Sequence, residues 1–370
     1  MVDVVLTGAN GFVGWHTRAA ARAWEFSTMR MALGVGFCLS EARRAMDEAE
    51  RFVHLAGVNR GMDEEVEQGN VFLAGQAAEA LRSCKSPPKV VVYADSVQAG
   101  NGTVYGEAKR KASNILRDAA LSVGSEYVDL KLPNLFGEGG RAFYNSVTAT
   151  FCQLLAEGKE PKVENDRELV FLHAQNAAEL LLGVSPVSKL DELSEIESVS
   201  GLLGRLKALH RTYSGGTIPD LSKPFDRDLF NTLRSHMFDL QRRICLAPHL
   251  DARGSFCEIV RSEGGEMQNS FSTTMPGVTR GNHFHLRKVE RFVVLAGSAR
   301  IRLRRFLSDE ILNLEVSGEM PVAIDMPTMW AHSLTNVGDD VLYTFFWANE
   351  MFRESAPDTI PEEVQCRGSR

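Results

Sequence analysis

A chain of 370 residues with 44% hydrophobic and 24% charged residues can hold two or three cored domains and has the balance of a globular protein. Its net charge of −7 argues against nucleic acid or an anionic membrane as the main partner. Six cysteines without a Cys-x-x-Cys pair suit reduced thiols and give neither a disulfide framework nor a zinc ribbon. No apolar run is long enough to span a bilayer, and the N-terminus opens into a strand-like run containing Asp3, not a signal peptide; a cytoplasmic chain is expected.

Val2 to Leu6 reads as a short buried strand. Thr7-Gly8-Ala9-Asn10-Gly11-Phe12-Val13-Gly14 follows, then a helix-prone run from Trp15 to Trp24. Strand, glycine turn and helix in that order fit a dinucleotide site. Glycines let the backbone approach the ligand, and the helix N-terminus meets the pyrophosphate. The Gly-x-x-Gly-x-x-Gly spacing resembles that of the extended short-chain dehydrogenase/reductases. Met29 to Gly36 reads as the second strand, and it ends without the acid that holds the ribose hydroxyls of NAD. NADPH is therefore expected in preference to NADH. Arg43 and Arg44 either meet its 2′-phosphate or lie exposed on a helix.

Arg51 to Gly57 is a further strand and turn. Leu55, Ala56 and Gly57 resemble the loop that passes the adenine and ribose in that superfamily, and His54 reads as a hydrogen-bonded strand-end histidine. Asn70 is expected to start a helix, as an N-cap or as support for the active-site helix. Lys89 to Tyr93 is the fourth strand and runs into Ala94-Asp95-Ser96. Tyr105-Gly106-Glu107-Ala108-Lys109 follows, with Tyr105 and Lys109 on one helix face. The Lys109 ammonium is expected to bring the Tyr105 pKa down toward neutrality. Such a phenol can give a proton to a carbonyl oxygen, and the Ser96 hydroxyl can hydrogen-bond the same oxygen.

Val128 to Leu132 is a strand ended by Pro133-Asn134-Leu135-Phe136-Gly137. That loop resembles the one beneath the nicotinamide. Pro133 and Asn134 are thus expected at the cofactor, Asn134 also at the substrate. Phe143 to Phe151 is expected to open an apolar helix. Asn145 and Arg167 are candidates for a sugar nucleotide diphosphate, since Arg suits bidentate phosphate contacts, or are solvated surface groups. Residues 186 to 243 have helical periodicity and read as a small substrate lobe, completing a reductase domain over residues 1–243.

From 244 to 370 the texture changes to short alternating strands. Gly277-Val278-Thr279-Arg280-Gly281-Asn282-His283-Phe284-His285, then Glu290 and Gly297, resembles the first cupin motif. His283 and His285 alternate on one strand face, and Glu290 joins them from the next strand. Pro327-Thr328-Met329-Trp330-Ala331-His332 and Asn336 resemble the second motif, except that Met329 stands where a Gly is usual. His283, His285, Glu290 and His332 make a divalent metal site, with zinc the first expectation and manganese, iron and nickel open.

A short-chain reductase followed by a cupin resembles the CapF-type bifunctional enzymes of capsular polysaccharide synthesis and their O-antigen relatives. The likeness rests on residues 7–14, 54–60, 105–109, 133–137, 144–147, 165–167, 251–256, 281–283 and 347–352. It implies an α/β Rossmann-like domain fused to an all-β cupin barrel, and a homodimer. It also implies C3 epimerisation of a UDP-linked 4-keto-6-deoxy-N-acetylhexosamine by the metal-bearing cupin, followed by NADPH reduction at C4. Departures are the amides in Leu172-His173-Ala174-Gln175-Asn176, Leu286 after His285, and the lack of a phosphate-matching Arg at the end of the second strand. The alternative is a reductase of another keto substrate in secondary metabolism, its cupin a structural dimerisation module. A non-catalytic dinucleotide sensor fits the intact Tyr/Lys pair less well.

Overall fold

The computed structural model describes residues 2–252 and 254–365; Arg253 and residues 366–370, which fall in the expected barrel domain, lie outside the described residues. The chain forms two compact units, Met1–Leu135 with Leu169–Ile196, and Phe136–Glu168 with Glu197–Arg370.

In the first unit, β1 (Val4–Thr7), β2 (Thr28–Arg30), β3 (Arg51–His54), β4 (Val90–Ser96) and β5 (Glu126–Leu132) form a parallel sheet of order β2-β1-β3-β4-β5. Helices α1 (Phe12–Ala23), α2 (Leu39–Met46), α3 (Asp63–Ser83) and α4 (Val104–Ser122) connect the strands. Two later helices are α5 (Val147–Ala156) in the second unit and α6 (Ala174–Leu182) in the first. The apolar strand runs are buried on both faces, as a parallel sheet requires. Val5, Phe52 and Val91 pack with residues of α2, α3 and α4; Val4, Leu6, Val53 and Val92 pack with residues of α1 and α6.

The chain passes between the units within β6 (Asn134–Phe136), β7 (Glu168–His173) and β8 (Glu195–Ser198). The second unit continues with α7 (Val199–Ser214) and α8 (Pro224–Met237). Its strands are β9 (Ile244–Cys245), β10 (His249–Asp251), β11 (Gly254–Phe256), β12 (Gln268–Thr274), β13 (Thr279–Phe284) and β14 (Glu290–Ala296), then β15 (Ser298–Arg305), β16 (Ile311–Ser317), β17 (Val322–Met326), β18 (Trp330–Asn336), β19 (Leu342–Ala348) and β20 (Ile360–Pro361). Two five-stranded antiparallel sheets, β12-β19-β14-β17-β9 and β16-β15-β18-β13-β20, enclose one core that includes Phe292, Ile301, Leu303, Leu334 and Leu342. This is the expected cupin-like architecture. Among the described residues no helix is long and apolar enough to cross a membrane.

Several expectations need correction. The second strand is β2 alone, three exposed residues, and Gly34–Gly36 forms a short 3-10 turn. Gly34 has φ +75° and gives its backbone N–H to Gln76, so the extended run stops early. Asn70 does not start a helix; it lies inside α3, where its amide takes the Val58 N–H and donates to the carbonyls of Val58 and Val66. The helix expected from Phe143 begins at Val147, capped by Ser146. By compactness, residues 136–168 and 197–243, which precede the expected 243/244 domain boundary, group with the barrel. Asn231 donates to Arg287 O at 2.9 Å, Arg234 to Met326 O at 3.1 Å, and Tyr213 to Asp325 at 2.6 Å.

Candidate functional site

In the first unit β1 is flanked by β2 and β3, so the strand order reverses there, and the carboxyl ends at such a switch point are where open parallel sheets take their ligands. The glycine turn lies at that point. Gly8 has φ +61°, and a Cβ on it would sit 2.7 Å from Ala56 N, so only glycine lets the two loops meet. A Cβ on Gly14 would sit 2.3 Å from Gly8 O, which ties the start of α1 to the turn. Asn10 and Gly11 are exposed, Phe12 and Val13 half-buried. Helix α1 starts at Gly11 without a side-chain cap, which leaves its N-terminal amides for an anion. Thr7 binds the facing loop: its Oγ1 accepts the N–H groups of Leu55 at 3.0 Å and Ala56 at 3.2 Å. With both lone pairs used, its proton goes to His54 Nδ1 at 3.1 Å. Burial, then Lys109, pushes His54 down to about 3, so it is a neutral structural imidazole, as expected.

Ser96 ends β4, and Tyr105 and Lys109 lie on α4 in the same unit. Thr103 caps that helix by accepting Gly106 N–H. The Ser96 hydroxyl is near enough to Tyr105 to favour its phenolate. Lys109 is buried; its Nζ donates to Ala94 O at 2.6 Å and lies 4.0 Å above the Tyr93 ring. Burial brings Lys109 down to about 8, against the pull of Asp95 and Asp129. Tyr105 departs from expectation. Burial and the Asp95 carboxylate raise its pKa, and only the Ser96 hydrogen bond acts the other way. The lysine charge is spent on Ala94 O and the Tyr93 ring, and an acid stands nearer the phenol in effect. Asp95 was read only as a strand residue; burial lifts its own pKa to about 6, with Lys109 opposing. A carboxylate inside an apolar strand was the available signal.

Asn134 is half-buried and gives its amide to Val170 O at 3.0 Å, and Pro133 precedes it beyond the end of β5. Asn145 and Arg167 are exposed residues of the second unit.

The second unit gathers His283, His285, Glu290 and His332, with ligand atoms all within 4.8 Å of one another. Strand pairing does this: His283 faces His332 across β13 and β18, and Glu290 opens β14. A bulge between Gly281 and His283, with Asn282 at φ +62°, re-aims the strand just before the histidines. The arrangement fits a cation. The Nε2 atoms of His285 and His332 are buried without a hydrogen-bond partner, though Glu290 Oε2 lies 2.9 Å and 3.6 Å away. Their Nδ1 atoms donate to Asp358 O and Trp330 O, which leaves the Nε2 lone pairs toward the common point. Burial and the two neighbouring imidazoles push His283 down to about 3, so it too is neutral. Met329 keeps the glycine-type turn: it adopts φ +62°, and its N–H donates to His285 O at 2.7 Å.

Residues 40–185 match the NAD dependent epimerase/dehydratase family, and residues 249–360 the polysaccharide biosynthesis C-terminal domain. The chain is 32% identical to the UDP-2-acetamido-2,6-beta-L-arabino-hexul-4-ose reductase of Pseudomonas aeruginosa, over 97% of this chain and 98% of that one. The crystal structure of the capsular polysaccharide assembling protein CapF from Staphylococcus aureus is similar with a TM-score of 0.60 and 29% identity, covering 98% of this chain and 100% of that one. UDP-glucose 4-epimerase from Thermotoga maritima, at 14% identity and a TM-score of 0.52, shares the fold over 65% of this chain and all of its own, 100%. A glycine turn at the switch point of a parallel sheet, a Ser/Tyr/Lys group in the same unit and a following barrel with a four-ligand cluster accompany these matches, and the chain belongs to the family of the Pseudomonas aeruginosa UDP-2-acetamido-2,6-beta-L-arabino-hexul-4-ose reductase.

Proposed function

We propose that the chain reduces the C4 ketone of a UDP-linked 4-keto-6-deoxy-N-acetylhexosamine with NADPH, after C3 epimerisation in the cupin, in cell-surface polysaccharide synthesis. The observation that carries this is Ser96, Tyr105 and Lys109 gathered in one unit with a glycine turn at the sheet's switch point. The relative's own name, a reductase of a UDP-linked hexul-4-ose, supports the substrate class. A bound NADPH supplies hydride. Tyr105 donates the proton to the C4 oxygen, Ser96 holds that oxygen by hydrogen bond and favours the phenolate left behind, and Lys109 orients the nicotinamide ribose. The second strand carries no acid for the ribose hydroxyls, which favours NADPH over NADH. Gly8, Asn10, Gly11, Phe12, Val13 and Gly14 cradle its pyrophosphate; Leu55, Ala56, Gly57, Pro133 and Asn134 line the rest. Asn134 and, separately, the exposed Asn145 and Arg167 of the second unit are the side chains proposed to contact the sugar nucleotide.

His283, His285, Glu290 and His332 would hold one divalent cation, zinc by its ligand set, and that cation would act as a Lewis acid on a substrate oxygen. The C3 proton is alpha to the ketone and therefore acidic enough for exchange. We place the enzyme in the cytoplasm as a homodimer.

The test is one reaction in D₂O with purified protein, NADPH and the UDP-4-keto sugar, read by nicotinamide absorbance and sugar mass. NADPH consumption with deuterium at C3 is expected. Consumption without deuterium would leave a reductase with a structural cupin. NADPH binding without consumption would mean a different keto substrate.

A further inference from the structure

The C-terminal segment of the second unit runs back along the four-ligand cluster. Strand β20 pairs with β13 on the edge away from β18, placing Pro361 opposite His283 and Ile360 opposite Phe284. Glu362 N–H donates to Asn282 O at 2.9 Å, and Arg304 holds Glu362 at 2.7 Å and Val364 O at 2.9 Å. At the head of this segment stands Asp358, buried and at φ +43°, a conformation that side-chain-bearing residues rarely adopt.

Its carboxylate accepts three consecutive backbone N–H groups: Leu286 at 2.9 Å, Arg287 at 3.0 Å and Lys288 at 2.8 Å. These residues are the link between His285 and Glu290. Its carbonyl oxygen accepts the His285 Nδ1–H. Lys288 Nζ donates to Pro357 O at 2.9 Å, and Arg287 to Ala356 O at 3.1 Å, so the link and the segment hold each other at several points. One residue thus fixes the ring of one ligand, its tautomer and the path to another ligand. An outer partner on the second nitrogen of a ligating histidine sets ring orientation and ligand basicity.

We propose that Asp358 is a positioning residue of the metal centre, a clasp that orders His285 and Glu290 through the Leu286–Val289 link. The inference rests on the reading of His283, His285, Glu290 and His332 as a metal site. Full-length protein would be stripped with a chelator and titrated with cobalt(II) against a chromophoric competitor, with the visible cobalt spectrum recorded. Wild type is expected to take one equivalent. Asp358→Ala is expected to bind roughly 10–100-fold more weakly with an altered spectrum, and Asp358→Asn, which keeps one acceptor oxygen, to lose less. If Asp358→Ala fails to fold, the Asn variant decides: an affinity and spectrum equal to wild type would overturn the proposal. Equal affinity and spectrum in Asp358→Ala would overturn the clasp alone. A wild type that takes up no metal would overturn the metal reading and the clasp together.

Discussion

Replacing Gly14 by alanine tests the nucleotide site most directly. The added Cβ would lie 2.3 Å from Gly8 O and 2.7 Å from the Cα and C of Ala9. All three are backbone atoms, so no rotamer change relieves the contact. Non-bonded heavy atoms prefer about 3.5 Å, so the start of α1 must move by roughly 1 Å. Forced overpacking of this kind costs about 1–3 kcal/mol. The strain falls on the turn whose amides receive the pyrophosphate, and every 1.4 kcal/mol is about tenfold in affinity, so NADPH binding should weaken about 5–150-fold. The assay is a fluorescence titration of NADPH, paired with thermal melting. Gly75→Ala in α3 is the control, since nothing lies within 4 Å of its Cβ position. It should leave affinity unchanged and stabilise the protein by about 0.5–1 kcal/mol. NADPH binding by Gly14→Ala as tight as wild type would refute the assignment of the turn.

Tyr105→Phe should abolish reduction while leaving NADPH affinity within about twofold, because the phenol serves proton transfer and not binding; unchanged turnover in a stopped-flow assay would remove Tyr105 from the mechanism. Reduction should decline as pH rises through about 8, where the buried Lys109 loses its charge. Its folded-state pKa lies below the ordinary 10.5, so the unfolded chain binds more protons in between, and the Lys109 contribution to stability rises from about pH 8 to 10.5. A Lys109→Met comparison that shows no such opposition between activity and stability would contradict the assignment. Asp325→Ala should destabilise the protein by about 3–5 kcal/mol, since it strands a buried guanidinium. Arg291 pairs with Asp325 at 2.6 Å and 2.9 Å, with side chains only 2% and 4% exposed, and Tyr213 donates to the same carboxylate at 2.6 Å. The double variant Arg291→Met, Asp325→Leu should recover most of the loss in urea denaturation; a double variant as unstable as the single would refute the charge argument.

What the sequence could tell depended on how local each signal was. The glycine turn, the Ser/Tyr/Lys group and the four histidine and glutamate ligands are short motifs whose spacing alone puts them on one turn, helix or strand pair. Tyr105 was misjudged because its surroundings come from strand register. Asp95 reaches it from β4, and Lys109 is turned to Ala94 O, neither of which shows in a four-residue helical spacing. Asn70 was misplaced because its partner, Val58, sits in a loop twelve residues earlier. Asp358 lies 70 to 72 residues from the link it grips, in a segment with no motif of its own. The 243/244 boundary followed a change of texture from helix to strand, whereas compactness followed side-chain contacts such as Tyr213 with Asp325.

Because the chain crosses between its units three times, neither unit is one uninterrupted stretch of sequence. A recombination event that moved only codons 244–370 would transplant a barrel missing Asn231, Arg234 and Tyr213, the groups that satisfy Arg287 O, Met326 O and Asp325. Residues 197–243 thus supply polar partners to the barrel from outside the 249–360 stretch that the C-terminal domain family matches.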